Sequence, residues 1–128
     1  MEIVINNNRK IFAIQEEFNN MFPGLAIAFY AKPSKPGAAP STKLVQHSSK
    51  TLHDCRSTNK EGTIVILPTM NISELKKYFR DVFELSIEIF QKGEERAEEN
   101  PISEKRTFEE LNKEFSGKKA FRFSLNED

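Results

Sequence analysis

The residues best suited to chemistry lie in one short stretch, His53-Asp54-Cys55-Arg56, with His47 shortly before it. A thiol beside an imidazole and a carboxylate could form a nucleophile–base pair, and the same groups could bind a metal ion. Neighbours in sequence point in different directions on a helix or a strand, however, and neither the CxxC nor the HExxH spacing of zinc sites occurs. We interpret the stretch as a partly buried Cys55 beside a helix-end histidine, and we predict no catalytic residue, no metal ligand and no cofactor.

Two other charged stretches contain residue types that bind ions, but they lack the spacing of known ion-binding motifs. Arg9 and Lys10 follow three asparagines at the predicted start of a helix, where an anion could bind. The five glycines are isolated from one another, so the sequence contains no phosphate-binding loop. The acidic run 94–99 lacks the alternating ligands and the turn glycine of a calcium loop. We interpret both groups as solvated charge.

Composition and charge narrow the class of protein. A chain of 128 residues has the size of a single domain. Nineteen basic and nineteen acidic residues cancel, which argues against nucleic acid or an anionic membrane as a partner. The lone Cys55 excludes an intrachain disulfide and fits a reducing compartment. Residues 1–8 lack the features of a signal peptide and no apolar run has membrane-spanning length, so we expect a cytoplasmic protein.

The first thirty residues read as strand, helix and strand. Ile3-Val4-Ile5 is short and β-branched, as a strand would be, and ends at three asparagines. An apolar stripe at helical spacing follows until Pro23-Gly24. Residues 25–30 then alternate between two sets of side chains with the period of a strand. The stripe consists of Ile11, Ile14, Phe18, Met21 and Phe22.

The rest of the chain divides into three parts. Residues 31–62 form a long connection that is rich in proline at its start, with a short helical turn expected near 50–56. Residues 63–92 repeat the order strand, helix, strand, and the capping-box sequence predicts that the helix starts near Asn71. Residues 93–128 hold a charged linker, a brief helix with its own capping box at 107–110, and an alternation at 121–125 that fits an added edge strand.

The two strand-helix-strand units, residues 1–30 and 63–92, match one another at an offset of 61, which places Ile3 on Ile64 and Phe18 on Phe79. Deleting one residue at Pro23-Gly24 continues the match at an offset of 60, which places Leu25 on Leu85. Either the unit is duplicated or two amphipathic units agree through periodicity alone. Both readings predict an α+β protein of order βαββαβ. That order resembles the ferredoxin-like superfold, which implies an antiparallel four-stranded sheet with both helices on one face.

The sheet face opposite the helices is expected to be largely apolar, which a monomer rarely leaves to water. The C-terminal segment, a second copy, or a ligand or partner could cover it. The central strands carry no aromatic side chain on which RNA bases could stack, and the phosphate loop of acylphosphatases is missing. We predict that the contact surface consists of Ala28, Tyr30, Val65, Leu67 and Phe90.

Two short motifs resemble a small bacterial protein family of unknown function: Lys50-Thr51-Leu52 with Arg56, and residues 107–112. This resemblance implies no activity. The sequence therefore predicts a non-enzymatic protein-interaction or assembly module, whose partner is itself or another protein. The alternative is a small-molecule-sensing module that resembles ACT domains, which share the βαββαβ order and bind ligands at dimer interfaces.

Overall fold

The computed structural model describes residues 1–32, 43–45, 49–92 and 102–115. These residues form an α+β fold, as the sequence predicts. The proline-rich start of the long connection, His47, the acidic run and the alternation at 121–125 lie outside them. The elements are β1 (Glu2–Ile5), α1 (Ile11–Met21), β2 (Leu25–Phe29), a 3-10 helix (Leu52–Cys55), β3 (Gly62–Val65), α2 (Ile72–Phe83), β4 (Ile87–Gln91) and α3, whose described part spans 108–115.

Helix α2 begins where the capping box predicts. The side chain of Asn71 accepts a hydrogen bond from the backbone N–H of Glu74 at 2.8 Å, and the Glu74 carboxylate accepts one from the backbone N–H of Asn71 at 3.3 Å. Two of the N–H groups that a helix start leaves without partners are thereby satisfied. At the other end Glu84 adopts a left-handed conformation with φ of 52°, which turns the chain toward β4.

The four strands pair as two separate ladders in the described part of the chain. β1 lies antiparallel to β3 with Ile3 opposite Ile64, and β2 lies antiparallel to β4 with Ile27 opposite Ile89. In a ferredoxin-like sheet β1 and β3 would also be neighbours, but β2 and β4 would lie at opposite edges. The element order is therefore the predicted one, and the pairing of β2 with β4 differs from the single sheet.

The free edge of β2 explains why it does not join β3. Gln15 and Asn19 of α1 donate side-chain hydrogen bonds to the carbonyls of Ile27 and Leu25, at 3.0 and 2.8 Å. Further along, the backbone N–H of Val45 donates to the carbonyl of Phe29 at 2.8 Å. Side-chain amides of α1 and the backbone of segment 43–45 thus bind the three carbonyls that point away from β4, and these carbonyls are not left for another strand.

In both ladders, a residue of the first unit pairs with its counterpart in the internal repeat. Ile3 and Ile64 differ by 61 residues and pair with each other, while Ala28 and Glu88 differ by 60 and also pair. If a twofold axis relates two equivalent strands, it passes through their antiparallel ladder at a point where a residue pairs with its own counterpart in the repeat. The pairing therefore favours duplication over a match produced by periodicity alone.

The repeat extends beyond the strand-helix-strand unit. A threonine precedes both the 3-10 helix and α3. Thr51 forms an isolated β-bridge with Lys10, the residue before α1, and Thr107 forms one with Asn71, the residue before α2. Equivalent backbone hydrogen bonds follow each threonine. In unit 1 the N–H of Leu52 donates to the carbonyl of Arg9 (3.0 Å) and the N–H of His53 to that of Asn7 (3.4 Å). In unit 2 the N–H of Phe108 donates to the carbonyl of Met70 (2.9 Å) and the N–H of Glu109 to that of Pro68 (2.9 Å). We call residues 2–56 unit 1 and residues 63–112 unit 2.

The two units share one hydrophobic core. Phe108 of unit 2 stacks on Phe22 of unit 1 with ring centroids 5.2 Å apart, and meets Phe18 edge-on at 5.9 Å. Phe29 of unit 1 meets Phe79 of unit 2 edge-on, also at 5.9 Å. A single cluster of buried side chains draws on all these elements. Because the contacts run between units, neither unit buries its apolar side chains by itself.

Candidate functional site

Cys55 is buried and unsuited to nucleophilic attack. Burial, reinforced by the neighbouring carboxylate of Asp54, raises the pKa of its thiol to about 12. The sulfur lies 3.9 Å from the carbonyl oxygen of Thr51, to which the thiol donates. A thiol needs to ionise and meet its substrate to react, and this one does neither at neutral pH.

The carboxylate of Asp54 accepts hydrogen bonds from Thr51, at the start of the 3-10 helix. Its Oδ2 accepts hydrogen bonds from the backbone N–H of Thr51 at 2.9 Å and from the Thr51 hydroxyl at 3.4 Å. The backbone hydrogen bond from Thr51 holds the pKa of the Asp54 carboxyl below its usual value. Nowhere in the described ranges do three His, Cys, Asp or Glu side chains converge as metal ligands would.

Arg56 is the buried charge of the same stretch, with 2 % of its surface exposed. Its guanidinium donates to the side-chain oxygen of Asn7 at 2.8 Å, to the carbonyl of Phe83 at 2.9 Å and to the carbonyl of Lys60 at 2.6 Å. The Phe83 carbonyl belongs to the last turn of α2, where a cation is favoured by the helix dipole. Arg56 therefore joins unit 1 to the end of the unit 2 helix.

Arg9, the first residue of the basic pair before α1, is also engaged. The guanidinium of Arg9 binds the carboxylate of Glu17 and donates to the carbonyl of Val4 at 3.2 Å. Its charge is thereby compensated within the protein. The position of Arg9 is that of a structural ion pair, and an anion would have to displace Glu17 to bind it.

The five residues predicted to form one contact surface lie on two different ladders. Ala28 and Phe90, in the β2–β4 ladder, are only 8 % and 7 % exposed. Tyr30, just beyond β2, is half-buried, and its hydroxyl donates to Glu88 at 2.9 Å. Val65 at the end of β3 and Leu67 just beyond it belong to the β1–β3 side and are exposed. A single sheet would have been needed to bring all five together.

The β1–β3 ladder, which we call the ribbon, exposes three apolar side chains on its outer face, beside the exposed Glu2 and Thr63. Val4, Val65 and Leu67 are 49 %, 44 % and 51 % exposed, whereas Ile3 and Ile64 between them are fully buried. Successive side chains of a strand point to opposite faces, so the three exposed residues lie on the same outer face. We call these three residues the ribbon face.

The edges of the ribbon are open as well. Ile66 donates its backbone N–H to the carbonyl of Met1 at 2.8 Å, so the hydrogen-bonded pairs of this ladder fall on odd residues of β1. The backbone groups of the intervening residues, Val4 and Val65 among them, point outward. Across the described residues, the Arg9 guanidinium on the Val4 carbonyl is the one hydrogen bond made to these outward groups. An added strand would find its partners there.

Two pockets lie at equivalent places in the two units. Ala31 and Gln91, which differ by 60, and Lys50 and Arg106, which differ by 56, occupy matching positions in their walls. The unit 1 pocket, of about 590 Å³, is lined by Ala31, Lys32, Lys43, Leu44, Val45, Lys50 and Asp54. The unit 2 pocket, of about 330 Å³, is lined by Gln91, Ile102, Ser103, Arg106, Leu111, Glu114 and Phe115.

The lysines of the unit 1 pocket were missed in the sequence because they are far apart in it. They meet because segment 43–45 pairs with the end of β2, through the bridge between Tyr30 and Leu44. The adjacent apolar residues Leu44 and Val45, after a proline-rich stretch, are the one signal that could have suggested a short strand.

No helix in the described residues is long and apolar enough to cross a membrane. No protein-family model, curated protein or solved structure matches the chain. Any function must therefore be argued from the surfaces described above.

Proposed function

We propose that this protein is a non-enzymatic protein-interaction or assembly module whose contact surface is the ribbon face. The observation that carries the proposal is the combination of three half-exposed apolar side chains with two open strand edges on one small surface. Apolar contact would supply affinity, and backbone hydrogen bonds along an edge would set the direction of the added chain. The first partner to test is a second copy, because every copy carries the same face and edges.

The size of the ribbon face argues for weak association. Such a patch measures on the order of 300 Å², near the lower end of the largest patch on a typical monomer. Burying it on both copies, at about 25 cal/mol per Å², would give about 15 kcal/mol. Association costs about 4–15 kcal/mol in lost freedom, so the surplus is small. We expect a reversible dimer that forms at micromolar or higher concentration.

Sedimentation velocity over a dilution series tests this proposal. Wild type is expected to shift from monomer to dimer as concentration rises, and Val65→Lys or Leu67→Lys to remain monomeric because a charge would be buried in the contact. Phe12→Lys is the matched control, since Phe12 is a similarly exposed apolar residue on α1. A wild type that stays monomeric at millimolar concentration, or a dimer that all three variants weaken equally, would contradict assembly through the ribbon face.

A second function is favoured by the unit 1 pocket: a small-molecule-sensing module that resembles ACT domains in its order of elements. A volume of about 590 Å³ lies within the range of small-molecule sites. A thermal-shift screen with amino acids and nucleotides tests this function, because a ligand that binds only the folded state raises the unfolding temperature with dose. If none of these compounds raises it, sensing of those ligand classes is refuted.

A further inference from the structure

Three separate stretches of the chain bring lysines to the unit 1 pocket. Ala31 donates its backbone N–H to the carbonyl of Lys43 at 2.8 Å, which places Lys43 beside the end of β2. Lys32 donates its backbone N–H to the carbonyl of Asp54 at 3.5 Å, which holds the 3-10 helix against the same segment. Lys50 precedes that helix. Backbone hydrogen bonds between these stretches thus bring the three lysines to one pocket.

The described lining of this pocket is formally basic. Among the residues that the structure describes there, three are lysines and one is Asp54, so their formal charge is three minus one, or +2. The carboxylate of Asp54 is already bonded to Thr51, and Lys50 acts on it only at longer range, as one of the charges that lower the pKa of Asp54. In the described part of the chain neither Lys32 nor Lys50 forms an ion pair.

The described lining of the equivalent pocket in unit 2 is formally neutral, with one cation and one carboxylate. Arg106, the counterpart of Lys50, pairs with Glu114 and, at 3.6 Å, with Glu110. Its cation is therefore compensated by the protein itself, and the pocket is smaller. The two pockets lie at equivalent places but differ in charge. The basic character of the unit 1 pocket is therefore due to its particular side chains, because the same backbone arrangement in unit 2 does not produce it.

We propose that the unit 1 pocket binds a small, multiply charged organic anion, with Lys32 and Lys50 meeting the charges. The wall also contains Ala31, Leu44 and Val45, which would contact an apolar part of the ligand and favour an organic molecule over an inorganic ion. Phosphate groups and clustered carboxylates share the required chemistry. This inference rests on the second function proposed above, that of a ligand sensor.

Calorimetric titration of the full chain tests the inference with four probes: ADP, citrate, adenosine and inorganic phosphate. ADP, citrate or both are expected to bind more tightly than adenosine and inorganic phosphate. Binding of ADP alone would identify phosphate as the recognised group, and binding of citrate alone would identify carboxylate. Each of Lys32→Gln and Lys50→Gln is expected to weaken binding up to about fivefold, as the loss of one exposed ion pair does.

Arg106→Gln in the unit 2 pocket is the matched control and should leave binding unchanged. Binding that resists both lysine substitutions, or that Arg106→Gln weakens equally, would overturn the assignment to the unit 1 pocket. Adenosine binding as tightly as ADP would overturn the anion inference and leave ligand sensing in place. If no probe binds at millimolar concentration, the anion inference is overturned, and the thermal-shift screen decides separately whether any other ligand is sensed.

Discussion

Replacing Arg56 with methionine tests how the two units are held together, because its buried guanidinium bonds to Asn7, to Lys60 and to the last turn of α2 at Phe83. Three hydrogen bonds from a charged donor contribute about 1.5 kcal/mol or more each, so about 5 kcal/mol is lost. Methionine keeps most of the buried stem and needs no desolvation of a charge, which recovers about 2 kcal/mol. We expect the free energy of unfolding to fall by about 3 kcal/mol.

Urea unfolding followed by circular dichroism measures this change. Arg80→Met is the control, because Arg80 lies on the solvent side of α2 and its one ion pair among the described residues is with the exposed Asp81; its loss should cost less than about 0.5 kcal/mol. Arg56→Lys should retain at most part of the stability, since one ammonium cannot reproduce the guanidinium fork. If Arg56→Met and Arg80→Met unfold at the same urea concentration, Arg56 does not join the units.

Three further predictions concern the core. Phe108→Ala should lower the free energy of unfolding by about 3–5 kcal/mol in the same urea assay, because it removes a fully buried ring that packs on Phe22; a loss below about 1 kcal/mol would contradict this packing. Cys55 should resist a thiol reagent in the native state at pH 8. Because its pKa is raised from 9.0 to about 12, the thiol should make stability fall as pH rises from 9 to 12, and Cys55→Ala should make that fall less steep. Gly62→Ala should cost about 1 kcal/mol, since the new methyl group would lie 3.3 Å from the ring of Phe83; an unchanged stability would show that the ring yields freely.

Local patterns predicted the elements because each depends on neighbours in the chain. The capping box at Asn71 marks the start of α2 by hydrogen bonds between residues three apart. The alternation along β1 predicts that Ile3 faces the helices and that Val4 lies on the opposite face, and the structure buries Ile3 while it leaves Val4 49 % exposed. Such features follow from periodicity and short-range bonding, which a single sequence contains.

Strand pairing could not be predicted in the same way. The partner of β2 depends on Gln15 and Asn19, which are two ordinary polar residues of α1 until they are found to bond the edge of β2. Once that edge is closed, β2 pairs with β4, and Ala28 and Phe90 become buried. The predicted contact surface was divided by this one choice of partner.

The most direct test of the proposed function is a dilution series followed by amide chemical shifts. Because the ribbon face is the proposed contact, concentration-dependent shifts should be confined to residues 2–5 and 62–67, and Val65→Lys should abolish them. Shifts that centre on other residues, or spectra that do not change up to millimolar concentration, would contradict self-assembly through the ribbon face.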